Sequence, residues 1–380
     1  MIPRFVQQKI ILASKDLNKA ILLLGPRQAG KTVVLQSLKT YFENQRKKTV
    51  YVNCDVAEDL EKIDTNSITL MTRITQGIDY MFIDEAQRMH NPGLTIKIIY
   101  DNIPNIRVIA TGSSSFELKN KVSDALTGRY VDFYLYPLSI REIISFVKPA
   151  KGELLASDLM LYGAYPEVYL QNQPDLRRLM LSKITESYLF KDILTFSRIR
   201  NSRALQDLAR ALAYQIGQEM NENELASRIK IDRKTLLSYL DILEQAFVIC
   251  RLYPYSQNPR REIGRKYKVY FIDLGIRNSL VGDFNALNVR SDLGALWENF
   301  LAIERKKSAH ILRIAPQTYF WRSYNGSEVD WVEVEGKATS AWEFKNSPHS
   351  VLSHGARVFT KNYQLPVQLV HAQNFLETFI

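Results

Sequence analysis

The chain has 380 residues, 46% of them hydrophobic and 24% charged, the balance of a globular protein with room for two or three separate cores. A net charge of +10 permits a nucleic-acid partner, while two isolated cysteines, Cys54 and Cys250, exclude a disulfide framework and a cysteine metal site and point to a reduced compartment, the cytoplasm. Apolar runs are too short to span a bilayer and no apolar leader follows Met1, so no membrane partner is expected.

From 20 to 136, short apolar runs alternate with longer mixed segments. Ile21–Leu24, Val50–Asn53, Tyr80–Ile83, Arg107–Ala110 and Phe133–Tyr136 have the length and apolarity of strands in a covered parallel sheet. After the first run comes Gly25-Pro26-Arg27-Gln28-Ala29-Gly30-Lys31-Thr32, the G-x-x-x-x-G-K-T spacing between a strand and a helix. Glycines there let backbone N–H groups wrap phosphates, and the following helix points its positive end at them. Lys31 would reach the β- and γ-phosphates of ATP and Thr32 would hold Mg²⁺.

The run at Tyr80 ends in Asp84-Glu85. Asp84 would lie near the metal and Glu85 would polarise the attacking water. The next run ends in hydroxyls, which makes Thr111 or Ser113 a candidate sensor of the γ-phosphate. Arg129, just before the last run, would reach the phosphate of a neighbouring copy in a homo-oligomer, as an arginine finger does.

In order along the chain, Ile2-Pro-Arg-Phe, Gly25-Pro-Arg-Gln-Ala-Gly-Lys-Thr, Ile83-Asp-Glu-Ala-Gln, Thr111-Gly-Ser-Ser, Thr127-Gly-Arg-Tyr and Tyr136-Pro-Leu-Ser resemble the prokaryotic AAA+-type ATPases that carry a C-terminal domain of unknown function. The resemblance covers essentially the whole chain. It implies a five-stranded parallel core, Mg²⁺-ATP, and the roles given to Lys31, Thr32, Asp84, Glu85 and Arg129. Arg27 and Gln87 also match that pattern.

From about 153 to 245 the period becomes helical, with Leu205, Leu208, Leu212 and Ile216 on one face. Strands return after about 247, giving expected domains at 1–150, 151–255 and 256–380. Within the middle, Glu222–Leu243 reads as a helix–turn–helix: Leu225, Ala226 and Ile229 pack one helix, Asp232 caps the next, and Leu236, Tyr239, Leu240 and Leu243 form its buried face. Phe247–Tyr253 and Tyr267–Ile272 would be wing strands. Arg233, Lys234 and Ser238 would face outward, and Arg260, Arg261, Arg265, Lys266 and Lys268 would make a basic wing for DNA phosphates. The loop beginning Gln257-Asn-Pro-Arg reads as an exposed connection.

Tyr319 to Lys345 is the second chemically rich stretch. A two-residue turn at Gly336-Lys337 puts Glu335 opposite Ala338 and Asp330 opposite Glu343, with Lys345 on the same face. Such a cluster would bind Mg²⁺ or Mn²⁺ through oxygen, with the lysine orienting a water. Two carboxylates left without a cation would repel, raising the pKa of one. Glu298, in a helix expected at 292–304, would add a third carboxylate.

Asp330, Glu343 and Lys345 resemble, residue by residue, the core of the PD-(D/E)xK nucleases with their restriction-endonuclease-like fold; Val329 stands where that pattern often has proline. The reading is therefore a multidomain α/β protein: a P-loop AAA+ parallel-sheet core, a helical and winged-helix middle, and a small mixed α/β nuclease-like end. The expected function is Mg²⁺-dependent ATP hydrolysis coupled to nucleic-acid handling, with a C-terminal nuclease. The rival is a regulatory nucleotide switch that binds protein partners and whose nuclease-like domain is inactive.

Overall fold

The computed structural model describes residues 2–112, 126–147, 152–187, 201–256, 266–312, 316–323 and 325–380. They form two compact units, 1–137 with 245–247, and 138–244 with 248–380.

The first unit is built on five parallel strands, β1 (Ala20–Leu24), β2 (Thr49–Asn53), β3 (Tyr80–Asp84), β4 (Arg107–Gly112) and β5 (Tyr130–Tyr134), in the order β2-β3-β4-β1-β5. β1 and β3 are buried at every position, which is why they read as unbroken apolar runs. β5 is an edge strand, mostly half-buried. It runs over 130–134 rather than the expected 133–136; Leu135 and Tyr136 follow it, both buried, with the Leu135 carbonyl against Gly25. Three helices matter here, α1 (Phe5–Asp16), α2 (Lys31–Asn44) and α3 (Pro92–Asn102). Val34, Leu35, Leu38 and Phe42 of α2 join Ile21, Leu23, Phe82 and Ile109 of the sheet in one core. Each such side chain contributes about 1.5–3 kcal/mol on burial. This is the P-loop AAA+ architecture.

In the second unit, α4 (Gly152–Tyr162) and α5 (Ser202–Tyr214) are followed by α6 (Glu222–Arg228) and α7 (Arg233–Gln245). Leu205, Leu208, Leu212 and Ile216 are buried as their spacing requires. Asp232 starts α7 by accepting the Thr235 N–H at 2.9 Å, and Leu236, Tyr239, Leu240 and Leu243 turn inward.

β6 (Ile249–Pro254) and β7 (Lys268–Phe271) pair antiparallel, as wing strands would. They are also part of a larger sheet. With β8 (Gln317–Arg322), β9 (Glu328–Glu335), β10 (Ala338–Phe344) and β11 (Val367–Val370) they form six strands in the order β11-β10-β9-β8-β6-β7. β6 runs parallel to β8, with Tyr253 beside Tyr319. The segments expected to part near 255 therefore share one sheet.

The unit also holds α8 (Leu274–Val281), α9 (Leu293–Leu312) and α10 (His354–Tyr363). α9 continues well past the expected 292–304, its later turns carrying the buried ion pair of Glu304 and Lys307. No described helix is long and apolar enough to cross a membrane.

Candidate functional sites

The phosphate loop joins the C-terminal end of β1 to α2. Gly25 has no room for a side chain: a Cβ there would lie 2.1 Å from the Leu135 carbonyl oxygen. Gly30 caps α2 at φ +95°, a conformation that L side chains rarely adopt. Together they let the loop turn tightly. Lys31 is 4% exposed and donates from Nζ to the carbonyls of Gly25 and Pro26, both at 2.9 Å. Burial lowers its pKa to about 8, against the pull of Glu85 and Asp84. Thr32 is exposed, Arg27 and Gly30 half-buried, Gln28 exposed, and Pro26 and Ala29 buried.

Asp84 ends β3 beside this loop at 2% exposure. Its Oδ2 accepts the Tyr51 hydroxyl at 2.8 Å, and its Oδ1 accepts the Thr111 hydroxyl. Thr111 in turn accepts the Glu85 N–H at 3.0 Å. Glu85 holds φ +51°, a left-handed conformation uncommon for a non-glycine residue, and its Oε2 accepts the Gln87 side-chain amide. The carboxylate pair is thus held by hydrogen bonds from β2, β4 and the turn after β3.

Thr111, one of the two sensor candidates, is fully buried and bonded to both members of the acidic pair. Ser113, the other sensor candidate, lies outside the described residues. Arg129, expected to reach the phosphate of a neighbouring copy, lies away from this chain's own loop. It precedes β5, whose C-terminal end pairs with the end of β1 that carries the loop, so a strand's length separates it from the loop. There it bonds Asp101 at 2.8 Å. Tyr51 and Gln87 were without a role in the sequence; the signal for Tyr51 was a hydroxyl between two valines.

In the second unit the hairpin count holds: Glu335 pairs with Ala338, and Trp331 with Trp342, which puts Asp330 across from Glu343. The carboxylates that converge are others. Oxygens of Glu298, Glu328 and Asp330 lie within 4.8 Å of one another. Lys268, 1% exposed, donates to Glu298 at 2.7 Å and also to Glu328. The Tyr270 hydroxyl donates to the same Glu298 oxygen at 2.6 Å. Glu343 is engaged elsewhere, accepting the Ser353 N–H at 2.9 Å and pairing with Lys345 at 2.9 Å.

Burial and the Glu298 charge push Asp330 up to about 7, Lys268 opposing them. Burial alone would lower Lys268, but Glu298, Glu328 and Asp330 outweigh it and hold its pKa above the usual lysine value. Burial, then the Glu343 hydrogen bond and charge, act on Lys345, with a net rise. The rise at Asp330 comes first from burial and only then from the Glu298 charge, not from Glu343 as the hairpin count suggested.

Glu343 is not among the carboxylates that gather at Asp330; it bonds Ser353 and Lys345. The trio that does gather already holds a buried ammonium. Glu328 and Lys268 were missed as members. Each had a period-2 signal: Glu328 two residues before Asp330, and Lys268 two before Tyr270. Lys268, expected on the basic wing, is buried in this cluster.

On the expected nucleic-acid face, Lys234 and Lys266 are exposed. Arg233 is exposed but pairs with Glu222 at 2.6 Å, which neutralises its charge locally. Arg260, Arg261 and Arg265, with the loop beginning at Gln257, lie outside the described residues.

Residues 17–144 match a family model described as an AAA domain. Residues 154–287 and 293–374 match two models each described as a domain of unknown function, DUF8612 and DUF4143. An uncharacterized protein of Haemophilus influenzae is 25% identical over 294 residues, covering 73% of this chain and 72% of its own. One of Mycobacterium tuberculosis is 26% identical over 349 residues, covering 91% and 74%.

Among solved structures, AMPPCP-bound DnaA from Aquifex aeolicus is 14% identical with a TM-score of 0.35, over 63% of this chain and 87% of that one. The replication initiator DnaA bound to AMPPCP and single-stranded DNA is 15% identical with a TM-score of 0.35, over 64% and 90%. The first unit has the fold of, and is similar in sequence to, an AAA domain.

Proposed function

We propose that the first unit hydrolyses Mg²⁺-ATP and that turnover is coupled to nucleic-acid handling by the second unit. The observation that carries the reading is the gathering of Lys31, Asp84 and Glu85 around one loop, with Thr111 bonded to Asp84 and to the Glu85 backbone. The residues present fit the ligand. The Gly25–Thr32 amides and the α2 N-terminus would cradle phosphates, and Lys31 would exchange its two loop carbonyls for phosphate oxygens. Thr32 and Asp84 would hold Mg²⁺, which when bound neutralises phosphate charge. Glu85 accepts a proton from the attacking water, and Thr111 keeps its backbone in place for that transfer.

For the nucleic-acid half, support comes from the net charge of +10 and from Lys234 and Lys266 at the surface of the α6–α7 and β6–β7 region. The experiment is ATP turnover with and without single-stranded DNA, double-stranded DNA and RNA. Stimulation by one of them supports the coupling; equal turnover in all four removes it. A companion measurement replaces Arg260, Arg261, Arg265 and Lys266 with Ala and follows DNA affinity against salt. A flatter salt slope is expected.

A second reading is favoured by one specific observation, Lys268 among Glu298, Glu328 and Asp330. In it the nuclease-like cluster is an internal ion pair network, and the protein is a nucleotide switch for protein partners. Mn²⁺-dependent cleavage of plasmid, single-stranded DNA or RNA, lost in Asp330→Asn, would overturn it.

A further inference from the structure

We infer that Arg4 is a positioning residue of the phosphate loop, and that it fastens the loop to the place where the chain passes out of the first unit. The inference deepens the ATPase reading and rests on it. Arg4 precedes α1 and is 7% exposed. Its Nη1 donates to the Ala29 carbonyl at 2.6 Å and its Nη2 to the Tyr136 carbonyl at 2.6 Å. A guanidinium can hold two carbonyls at once because its donors are fixed in one plane. Ala29 lies within the phosphate loop. Tyr136 lies one residue before Pro137, the last residue of the first unit before the chain enters the second.

Further contacts tie the same two segments. Leu135 N–H donates to the Leu24 carbonyl at 2.7 Å, and the Leu135 carbonyl closes over Gly25, where it leaves no space for a Cβ. The Tyr136 ring meets Phe247 edge-on, with centroids 5.8 Å apart. Phe247 belongs to 245–247, the short stretch in which the chain returns to the first unit. It is buried and holds φ +58°, uncommon for a bulky residue and stable only when its surroundings enforce it.

Loop carbonyl, outgoing segment and returning segment are therefore joined through one arginine and one tyrosine. A nucleotide that binds two arrangements of the loop unequally shifts the balance between them. Arg4 makes Tyr136 follow the Ala29 carbonyl, so that shift reaches the covalent passages between the units.

The four tryptophans of the chain, Trp297, Trp321, Trp331 and Trp342, all belong to the second unit, so their emission reports on that unit alone. In the full chain, ADP binding is followed by calorimetry and tryptophan emission together. In the wild type, emission changes saturably with the same midpoint as binding. Arg4→Ala weakens ADP binding about tenfold, the scale of a lost charge-assisted hydrogen bond, and at saturation loses most of the emission change. Arg4→Lys keeps the charge but puts one nitrogen on a shorter stem in place of Nη1 and Nη2, which each reach a different carbonyl; it binds ADP nearly as well as wild type and also loses the emission change.

A full emission response in Arg4→Lys at saturating ADP overturns the inference. So does a wild type that binds ADP with silent tryptophans. A wild type that responds to ADP but never hydrolyses ATP sinks the ATPase reading and leaves this one standing.

Discussion

Thr111 donates its hydroxyl to Asp84 and, from the same oxygen, accepts the backbone N–H of Glu85 at 3.0 Å. One buried side chain on β4 therefore sets both the orientation of the residue that would hold the metal and the backbone of the residue that would take the proton. Thr111→Val keeps the shape and removes both bonds. Unfolding stability should fall by about 1–3 kcal/mol, the usual result of orphaning buried polar groups. ATP turnover should fall by tenfold or more, with a smaller change in nucleotide affinity. Denaturant unfolding and steady-state kinetics check the two halves, and unchanged turnover would separate Thr111 from the chemistry.

Phosphate cradling and water activation are assigned to different residues, so they should separate by mutation. Lys31→Ala should lose ATP binding, since no other side chain in Gly25–Thr32 carries a terminal ammonium to the phosphates. Glu85→Gln should retain binding and lose turnover, because the amide cannot accept the proton. Calorimetric binding with a phosphate-release assay tests both. Normal turnover in Glu85→Gln removes Glu85 as the base.

Burial lowers Lys31 to about 8, which predicts a pH dependence of nucleotide binding. The protonated form attracts phosphate. Below pH 8 the ammonium is already present in the free protein and ADP affinity should be flat with respect to this group. Above pH 8 binding must take up a proton, so affinity should fall, approaching tenfold per pH unit. For stability the sign is opposite. A lysine whose folded pKa is depressed binds protons more readily when unfolded, so its contribution to stability improves as pH rises from about 8 toward the unfolded lysine value. ADP titrations from pH 6.5 to 9.5 read the first effect; an affinity flat throughout would contradict it.

Lys268 of β7 pairs with Glu298 of α9 and Glu328 of β9, in a cluster that also holds Asp330. Lys268→Met should destabilise the second unit by about 3–5 kcal/mol at neutral pH, the scale of leaving buried charge uncompensated. The loss should shrink on acidification. Asp330 is already raised to about 7, and a carboxyl raised in the folded state contributes stability that is present at low pH and lost as pH rises through its folded pKa. Urea unfolding at pH 5 and 7.5 checks the direction. A variant as stable as wild type at pH 7.5 would show that the lysine is not the compensating charge.

Much of the first unit was written in local pattern. β1 and β3 are covered on both faces, so every position must be apolar, and that leaves a continuous run in the sequence. The loop is a backbone device that needs glycine at fixed spacing, so Gly25, Gly30, Lys31 and Thr32 could be placed by number alone. The hairpin of the second unit was also legible, because a two-residue turn at Gly336-Lys337 fixes the whole register by counting. α7 announced its start at Asp232, whose side chain caps it from the adjacent turn.

Long-range convergence was decided by the tertiary structure. Tyr51, Asp84 and Thr111 meet because three strands lie side by side, and Arg4 meets Ala29 and Tyr136 across 132 residues of chain. Counting put Glu343 opposite Asp330, yet register fixes only which residues are neighbours on a strand pair, not where their carboxylates end. Ser353 and Lys345 take Glu343, while α9 and β7 bring Glu298 and Lys268 to Asp330. Lys268 shows the physical reason most directly. A lysine at the head of an apolar strand reads as a surface charge, and only the fold places three carboxylates around it that make burying it favourable.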